Sequence, residues 1–528
     1  MRTALETGAA EIGALEEPRT IVRNVSTRYL AIAVEMIVGL AVLPFNVAHL
    51  GQSAYGLWML AGSITAYFSV LDLGYSGALV KFVAQYRARR DVGALNEILS
   101  TTFYMFAAFG VVTYVVAAVL ALYLGRLFHL TPEQAHLGRI VLLVTTVNVA
   151  VGTAFSVFGA VINGFQRYDL NNIVGTCSSV LTSAVNVAVL LAGYGLVEVV
   201  IATTTVRVLT YWVYRANAYR VFPELRLRVR SFRRGRLKEV TTFSVYMLLI
   251  DWSNKLNYSV DALVIGVFLN TSAVAIWSVG QRLAETTQRL TNQLNDVLFP
   301  TLVDHDAASR QERLQKIFLV GTRLSIATVL PLAGGLLLLA PVLVRAWVGP
   351  EFAGSVVVVR LLAFTVIVRV ACATSNTLLK ATGRHQLVAF TNAATSLVNL
   401  SLSLIAVAPF GLAGVALGTL LPVCCTSALI LFPAGCRRVE LPVSRVLAEA
   451  VWPALWPGAV MAAFVVVTLP FVGESLPAVA AELAAAATVY GVTFLLFALE
   501  TTERRFYLAR ALELMPRRLT PSTLPEGT

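Results

Sequence analysis

The sequence predicts an all-α integral membrane protein of about 14 transmembrane helices, built as two parallel six-helix repeats plus a C-terminal helix pair. Three observations predict it: composition, the alternation of basic connections along the chain, and an internal repeat. Of 528 residues 57% are hydrophobic and 13% charged, against about a quarter charged in soluble chains. A soluble fold could not bury that surface. Apolar runs of the roughly 20 residues needed to cross a hydrocarbon core recur from Arg28 almost to Glu500. No stretch is dominated by the apolar/polar alternation of a membrane barrel, so the backbone must satisfy itself as helices.

Residues 1–27 carry mixed charges, including Glu16, Glu17, Arg19 and Arg23, and lack the apolar core and small-residue cleavage site of a secretory signal. They read as a cytoplasmic N-terminal segment. The first bundle, residues 28–216, holds spans at 28–47, 55–80, 98–124, 139–162, 172–193 and 195–214. Residues 217–240 form a basic linker, in which Phe222 to Arg236 is the densest basic stretch of the chain. Each basic residue there adds about 1 kcal/mol of attraction to an anionic leaflet, which pins the linker to the membrane surface. The second bundle, residues 241–433, has spans at 241–269, 273–299, 317–346, 355–379, 386–408 and 411–432. A C-terminal pair in residues 434–500 and a cytoplasmic tail, residues 501–528, complete the chain.

Alternate connections hold Lys81, Arg87, Arg89 and Arg90, then Arg167, the linker, Arg310, Arg313 and Lys316, Lys380 and Arg384, and Arg437, Arg438 and Arg445. The opposite set, such as His49 to Ala54 and Trp347 to Gly354, is almost free of Lys and Arg. This asymmetry places both termini in the cytoplasm and accounts for the net charge of +12 without a nucleic-acid partner. The repeat is carried by His49-Leu-Gly-Gln-Ser-Ala-Tyr-Gly-Leu-Trp58, which lies without a gap over Phe268-Leu-Asn-Thr-Ser-Ala-Val-Ala-Ile-Trp277. Later, Ala184-Val-Asn186 with Tyr194-Gly-Leu196 echoes Leu397-Val-Asn399 with Phe410-Gly-Leu412. An even number of helices separates the repeats, so they point the same way and frame a central path.

Charges inside spans are the functional candidates, because each costs about 2.5 to 3.5 kcal/mol at a helix centre unless it is paired or hydrated. On the seventh span Asp251, Lys255, Tyr258 and Asp261, with Asn254, share one face at helical spacing. On the eighth Arg282, Glu285, Arg289, Asn292 and Asp296 form one stripe at spacings of three and four. Hydropathy alone barely marks that helix as spanning; its register with residues 55–80 does, and the stripe then lines a wet cavity or, as the alternative, an interfacial helix. Glu35, Arg207 and Arg369 are single charges within spans, equally consistent with structural ion pairs, while Arg345 and Arg360 sit near helix ends and read as snorkelling heads. Pro44, Pro331, Pro422 and Pro453, with Gly334-Gly335, are read either as kinks and hinges or as ordinary prolines of the kind membrane helices tolerate. The five cysteines have no CxxC spacing and read as packing residues. The five histidines are scattered and no phosphate loop occurs, so metal, cofactor and ATP chemistry have no motif here.

Leu43-Pro44 through Leu50-Gly51, Tyr55-Gly-Leu-Trp58, Leu71-Asp-Leu-Gly74 and Lys81-Phe-Val-Ala84 resemble the opening of polysaccharide transporters of the O-antigen flippase type. These belong to the MATE-like superfamily of multidrug, oligosaccharidyl-lipid and polysaccharide exporters. Asp261-Ala-Leu-Val-Ile-Gly266, Val297-Leu-Phe-Pro300, Gly383-Arg384 and Phe410-Gly-Leu-Ala-Gly414 extend the resemblance over roughly Arg23 to Glu500. It implies a V-shaped pair of bundles in the inner membrane that flips an undecaprenyl-diphosphate-linked oligosaccharide for surface polysaccharide biosynthesis, with no catalytic chemistry and no cofactor. Lys255, Tyr258, Arg282, Arg289, Asn292 and Arg369 become the expected substrate contacts. Asp251, Asp261, Glu285 and Glu35 become the expected ion or proton sites. Expected partners are the lipid-linked oligosaccharide, membrane lipids and a glycan polymerase or glycosyltransferases. A drug or cation antiporter of the same superfamily is the nearest alternative, and a membrane-embedded glycan polymerase or ligase a more distant one.

Overall fold

The computed structural model describes residues 2–68, 75–233, 235, 260–499 and 504, with side chains from Thr27 onward and, past the first gap, from Leu79. Among these residues there is no strand. The first half comprises α1 (Arg2–Phe68), α2 (Tyr75–Ala88), α3 (Val92–Leu127), α4 (Pro132–Gly164), α5 (Tyr168–Leu191) and α6 (Leu196–Val221). Residues 260–268 are helical. Then come α7 (Thr271–Ala307), α8 (Gln311–Val329), α9 (Gly335–Val348), α10 (Ser355–Ala371), α11 (Ala373–Ala381), α12 (His385–Cys424), α13 (Phe432–Arg438), α14 (Val443–Val446), α15 (Trp452–Thr468) and α16 (Leu476–Thr493).

Local chemistry sets the ends of these helices. Asp91 accepts from the Ala94 N–H to cap α3, and Thr131 with Gln134 forms a capping box ahead of Pro132 for α4. The Asn270 side chain accepts from Ala273 N–H at the head of α7. Gly51 (φ 75°) breaks α1 and Gly411 (φ 56°) breaks α12, so each continuous run holds two helical segments. Among the described residues nine helices are long and apolar enough to cross a membrane, or ten with the bent pair α10 and α11. The two glycine breaks and the charged α7 account for further spans, and the count of about 14 stands. Pro331 lies in a π-helical turn, Leu330–Gly334, and Pro453 follows another, Leu447–Val451. Each proline withdraws a backbone donor, and the widened turn absorbs the loss. Pro44 sits in α1 with helical backbone around it, since Gly51 is where α1 departs from helical angles. Lys81 and Arg87, expected in a connection, lie on α2, with Arg89 and Arg90 in the turn after it.

The chain forms two compact units. Unit 1 comprises Met1–Arg282, Val348–Val358 and Ala389–Pro422, so segments of both repeats contribute to it. One of its apolar clusters includes Leu79, Phe82, Ile98, Phe106, Val157 and Phe158, drawn from α2, α3 and α4. In lipid, helix packing rests on close approach rather than solvent exclusion. Gly56 meets the Thr271 carbonyl and Gly110 the Ala150 carbonyl so tightly that a side chain on either glycine would overlap backbone. The repeat motifs thus pack on one another: Ser53 and Thr271 hydroxyls are 3.4 Å apart, and the Ser355 hydroxyl donates to the Ile276 carbonyl at 2.7 Å.

Unit 2 comprises Leu283–Trp347, Val359–Val388 and Val423–Thr528. The C-terminal pair, α15 and α16, packs with α8 around Ile326, Leu330, Met461, Tyr490 and Phe494. The Tyr490 hydroxyl donates to the Ala454 carbonyl at 2.7 Å, which satisfies it inside this apolar cluster. Cys372 and Cys436 are buried in a second apolar cluster of unit 2, as expected, but Cys177 and Cys425 are exposed on helix surfaces that a membrane would cover.

Candidate functional site

Within unit 1 the centre of interest is Gly39 on α1. The Arg282 guanidinium lies over it, in the space a Cβ would need. Glu35 stands one turn earlier on the same helical face. Arg282 also acts electrostatically on the buried Tyr55, whose side chain is hydrogen-bonded to Ser278, and Glu35 acts on Tyr214. A cation and an acid, both half-buried, are therefore held on one face of α1 with phenols beside each. Near them Gly152, Phe155, Asn163, Asn171, Tyr211 and Tyr214 line a cavity of about 340 Å³. Tyr211 donates to Asn148 Oδ1 at 2.9 Å, with Arg207 in electrostatic range. Aromatic rings interleaved with amides are the lining a polar, ring-shaped ligand needs.

A second cluster in unit 1 surrounds Asp261, which is 3% exposed. The Thr419 hydroxyl donates to Asp261 Oδ2 at 3.1 Å and lies 3.4 Å from Asn399 Oδ1. The Ser403 hydroxyl donates to Asn399 Oδ1 at 3.0 Å and approaches the Val415 carbonyl at 3.4 Å. Asn399 and Ser403 come from the segment before Gly411, Thr419 and Val415 from the segment after it. Gly414 and Gly418 allow the two segments to fold together, since a Cβ on either would overlap Ala406 or Ser403. Five oxygens converge here from three helical segments. The first repeat has a counterpart: Asn186, which the repeat aligns with Asn399, donates to Asn46 Oδ1 at 2.9 Å.

In unit 2, α7 buries Thr287, Thr291 and Asn295 against its neighbours. Asn295 joins Ser325 and Thr374 in a buried polar triangle with distances of 3.4, 3.1 and 3.2 Å. The charged stripe lies elsewhere on the helix: Glu285 and Asn292 are half-buried and Arg289 is exposed. Arg369 Nη1 donates to Gln288 Oε1 at 3.4 Å, bringing the expected arginine of α10 to α7. Arg345 pairs with Glu474 at 2.6 Å, both largely exposed, and Arg360 donates to the Leu337 carbonyl at 3.3 Å.

The expected residues thus divide. Arg282 lies over Gly39, one helical turn along α1 from Glu35; Arg369 joins α7 at Gln288; Asp261 anchors its own oxygen cluster. Asp251, Lys255 and Tyr258, with Asn254 and Asp72, lie outside the described residues. Gly39, Gln288, Asn399, Ser403 and Thr419 were not singled out from sequence as site residues. Asn399 had a signal, its place in the second repeat match, whereas nothing in the sequence connects Gly39 with Arg282.

These features define a multi-pass membrane protein with the fold of a transporter. The inward-facing MATE family transporter of the MOP superfamily superposes with a TM-score of 0.65 at 16% identity, over 77% of this chain and 94% of that one. The lipid II flippase MurJ in its inward closed conformation gives 0.72 at 12% identity, over 93% and 100%. A eukaryotic MATE transporter gives 0.57 at 15%, over 83% and 99%. No curated protein matches the chain. The family model described as polysaccharide biosynthesis protein matches residues 49–357, and the chain belongs to that family. The fold and family expected from the sequence motifs are the ones found.

Proposed function

We propose that this protein is a flippase that moves a lipid-linked, undecaprenyl-diphosphate oligosaccharide across the inner membrane by alternating access, with both termini cytoplasmic. The observation that carries the reading is the Arg282 guanidinium held over Gly39 within a transporter fold of a polysaccharide biosynthesis family. A guanidinium presents a rigid fork of donors matched to phosphate oxygens, and in a site of low dielectric that match is strong. Lys255, Arg282, Arg289 and Arg369 are substrate contacts, to diphosphate or sugar. Tyr258, Asn292 and the aromatic, amide-lined cavity of unit 1 take sugar rings. The bundles at 28–216 and 241–433 are the moving parts.

Asp261 is the coupling site. Its carboxylate, Asn399 Oδ1, the Ser403 and Thr419 hydroxyls and the Val415 carbonyl are hard oxygen donors suited to an alkali cation or, with the carboxylate protonated, to a proton. Asp251, Glu285 and Glu35 are the further acids of that pathway. A glycan polymerase or glycosyltransferases supply and consume the substrate.

Deleting the gene in its host tests the reading. Accumulation of a lipid-linked oligosaccharide on the cytoplasmic leaflet, reversed by the intact gene, supports it. No accumulation, with altered efflux of a small cation, replaces it by a drug or cation antiporter of the same fold.

A further inference from the structure

The oxygens of the proposed coupling site, from Asp261, Asn399, Ser403, Val415 and Thr419, all belong to the second repeat. An ion held by these alone would not register where the first repeat stands. A ligand shifts a conformational equilibrium only through different affinities for the two states. A device that ties ion occupancy to movement therefore needs a group from the first repeat, and unit 1 supplies one.

Within unit 1 the two repeats meet along a seam that begins at the connections poor in Lys and Arg. Gln52 donates to the Glu351 carbonyl at 2.8 Å, and Gln134 to the Ser53 hydroxyl at 2.8 Å. Gly56 lies against the Thr271 carbonyl, and deeper along the seam a Cβ on Gly266 would overlap Leu60 Cδ1. The two helical segments thus run antiparallel, with Gly56 level with Thr271 and Leu60 level with Gly266. At about 1.5 Å per residue, Tyr67 lies about 10 Å beyond Leu60 and Asp261 about 8 Å beyond Gly266, so the phenol and the carboxylate reach nearly the same depth. Asp261 is within electrostatic range of the Tyr67 phenol, as this register requires.

The Tyr67 hydroxyl oxygen is buried and has no hydrogen-bond partner among the described residues. Buried tyrosine hydroxyls usually find a partner, because leaving one unsatisfied is costly. A neutral oxygen beside a carboxylate and four other oxygens suits a hard cation, which takes six or more oxygen ligands in proteins when it is calcium-sized. A phenol kept only for its ring would be replaced by Phe without effect on any ion.

We infer that the Tyr67 hydroxyl oxygen completes the coordination of an alkali cation at Asp261, directly or through one bound water, so that the ion joins the two repeats and holds the seam closed. The inference rests on the reading of Asp261 as the coupling site. The ion is then bound more tightly with the seam closed than with it open. Its release precedes the parting of the repeats on the side poor in Lys and Arg.

The test uses the purified full-length chain in detergent, in lithium, sodium or potassium chloride against choline chloride at fixed ionic strength and pH. Unfolding temperature reads binding. Seam opening is read by the rate at which a water-soluble maleimide labels Ser355→Cys, a fully buried seam position beside the Ile276 carbonyl. Peptide mass spectrometry separates that label from those on the native cysteines. In the Ser355→Cys parent the effective cation should raise the unfolding temperature and slow labelling by about tenfold, the size of one hydrogen bond to a charged group. In Tyr67→Phe, made in the same background, the cation should still raise the unfolding temperature but no longer slow labelling. Because Tyr67→Phe removes only an oxygen without a partner, its unfolding temperature in choline should match the parent. Equal slowing in Tyr67→Phe and the parent overturns the inference and leaves Asp261 as the coupling site. No stabilisation of the parent by any of the three cations, or undiminished stabilisation in Asp261→Asn, overturns the coupling reading and the inference with it.

Discussion

The Arg282 guanidinium occupies the space above Gly39 that any other residue would fill with a Cβ. A glycine on a spanning helix is thereby tied to an arginine more than two hundred positions away in the sequence. Replacing Gly39 by Val should displace the guanidinium from α1 while leaving a helix-compatible apolar residue in place. Transport, read as cytoplasmic accumulation of the lipid-linked oligosaccharide in a complementation assay, is expected to fall as far as in Arg282→Gln, with membrane insertion unchanged. Normal transport in both variants would remove Arg282 from the substrate path.

Gly56 makes a different kind of contact, against the backbone carbonyl of Thr271, which cannot rotate away. Gly56→Ala should therefore destabilise unit 1 by about 1 to 3 kcal/mol, the usual range for overpacking. Thermal unfolding in detergent measures it. Gly62→Ala, on the same helix with open space around its Cβ, is the matched control and should change little.

Asp261 and Thr419 form the hydrogen bond at the heart of the oxygen cluster. Asp261→Asn keeps the volume and removes the charge, so transport in vesicles should lose its dependence on an imposed ion gradient. Thr419→Val should raise the ion concentration needed for half-maximal transport, because one of five oxygens is lost. Wild-type gradient dependence in Asp261→Asn would place coupling elsewhere.

Arg369 reaches Gln288 on α7. Arg369→Ala is expected to reduce transport by about tenfold, the effect of removing one charge-assisted contact.

Arg345 and Glu474 supply the contrast. Their 2.6 Å ion pair is exposed on both sides, at 60% and 70%, and pairs of this kind contribute about 0 to 1 kcal/mol. Arg345→Ala should leave transport and unfolding temperature close to wild type. A large loss in either would mean that the helix end carries more than a snorkelling head.

The sequence by itself determined the helical class, the membrane as solvent and the repeat. Each is written in local or regularly spaced features: apolar runs of spanning length, basic residues in alternate connections, and His49–Trp58 matching Phe268–Trp277. It also marked which residues are unusual for a membrane, including Glu35, Asp261, Arg282 and Arg369, since an intramembrane charge stands out against any apolar background. Only the tertiary structure decided what each one meets. Arg282 finds Gly39, Arg369 finds Gln288, and Asp261 finds Thr419 because helices distant in the chain pack side by side. The deciding neighbours are small or neutral residues, Gly, Gln, Asn, Ser and Thr, whose presence in a span costs little and so leaves no mark in composition.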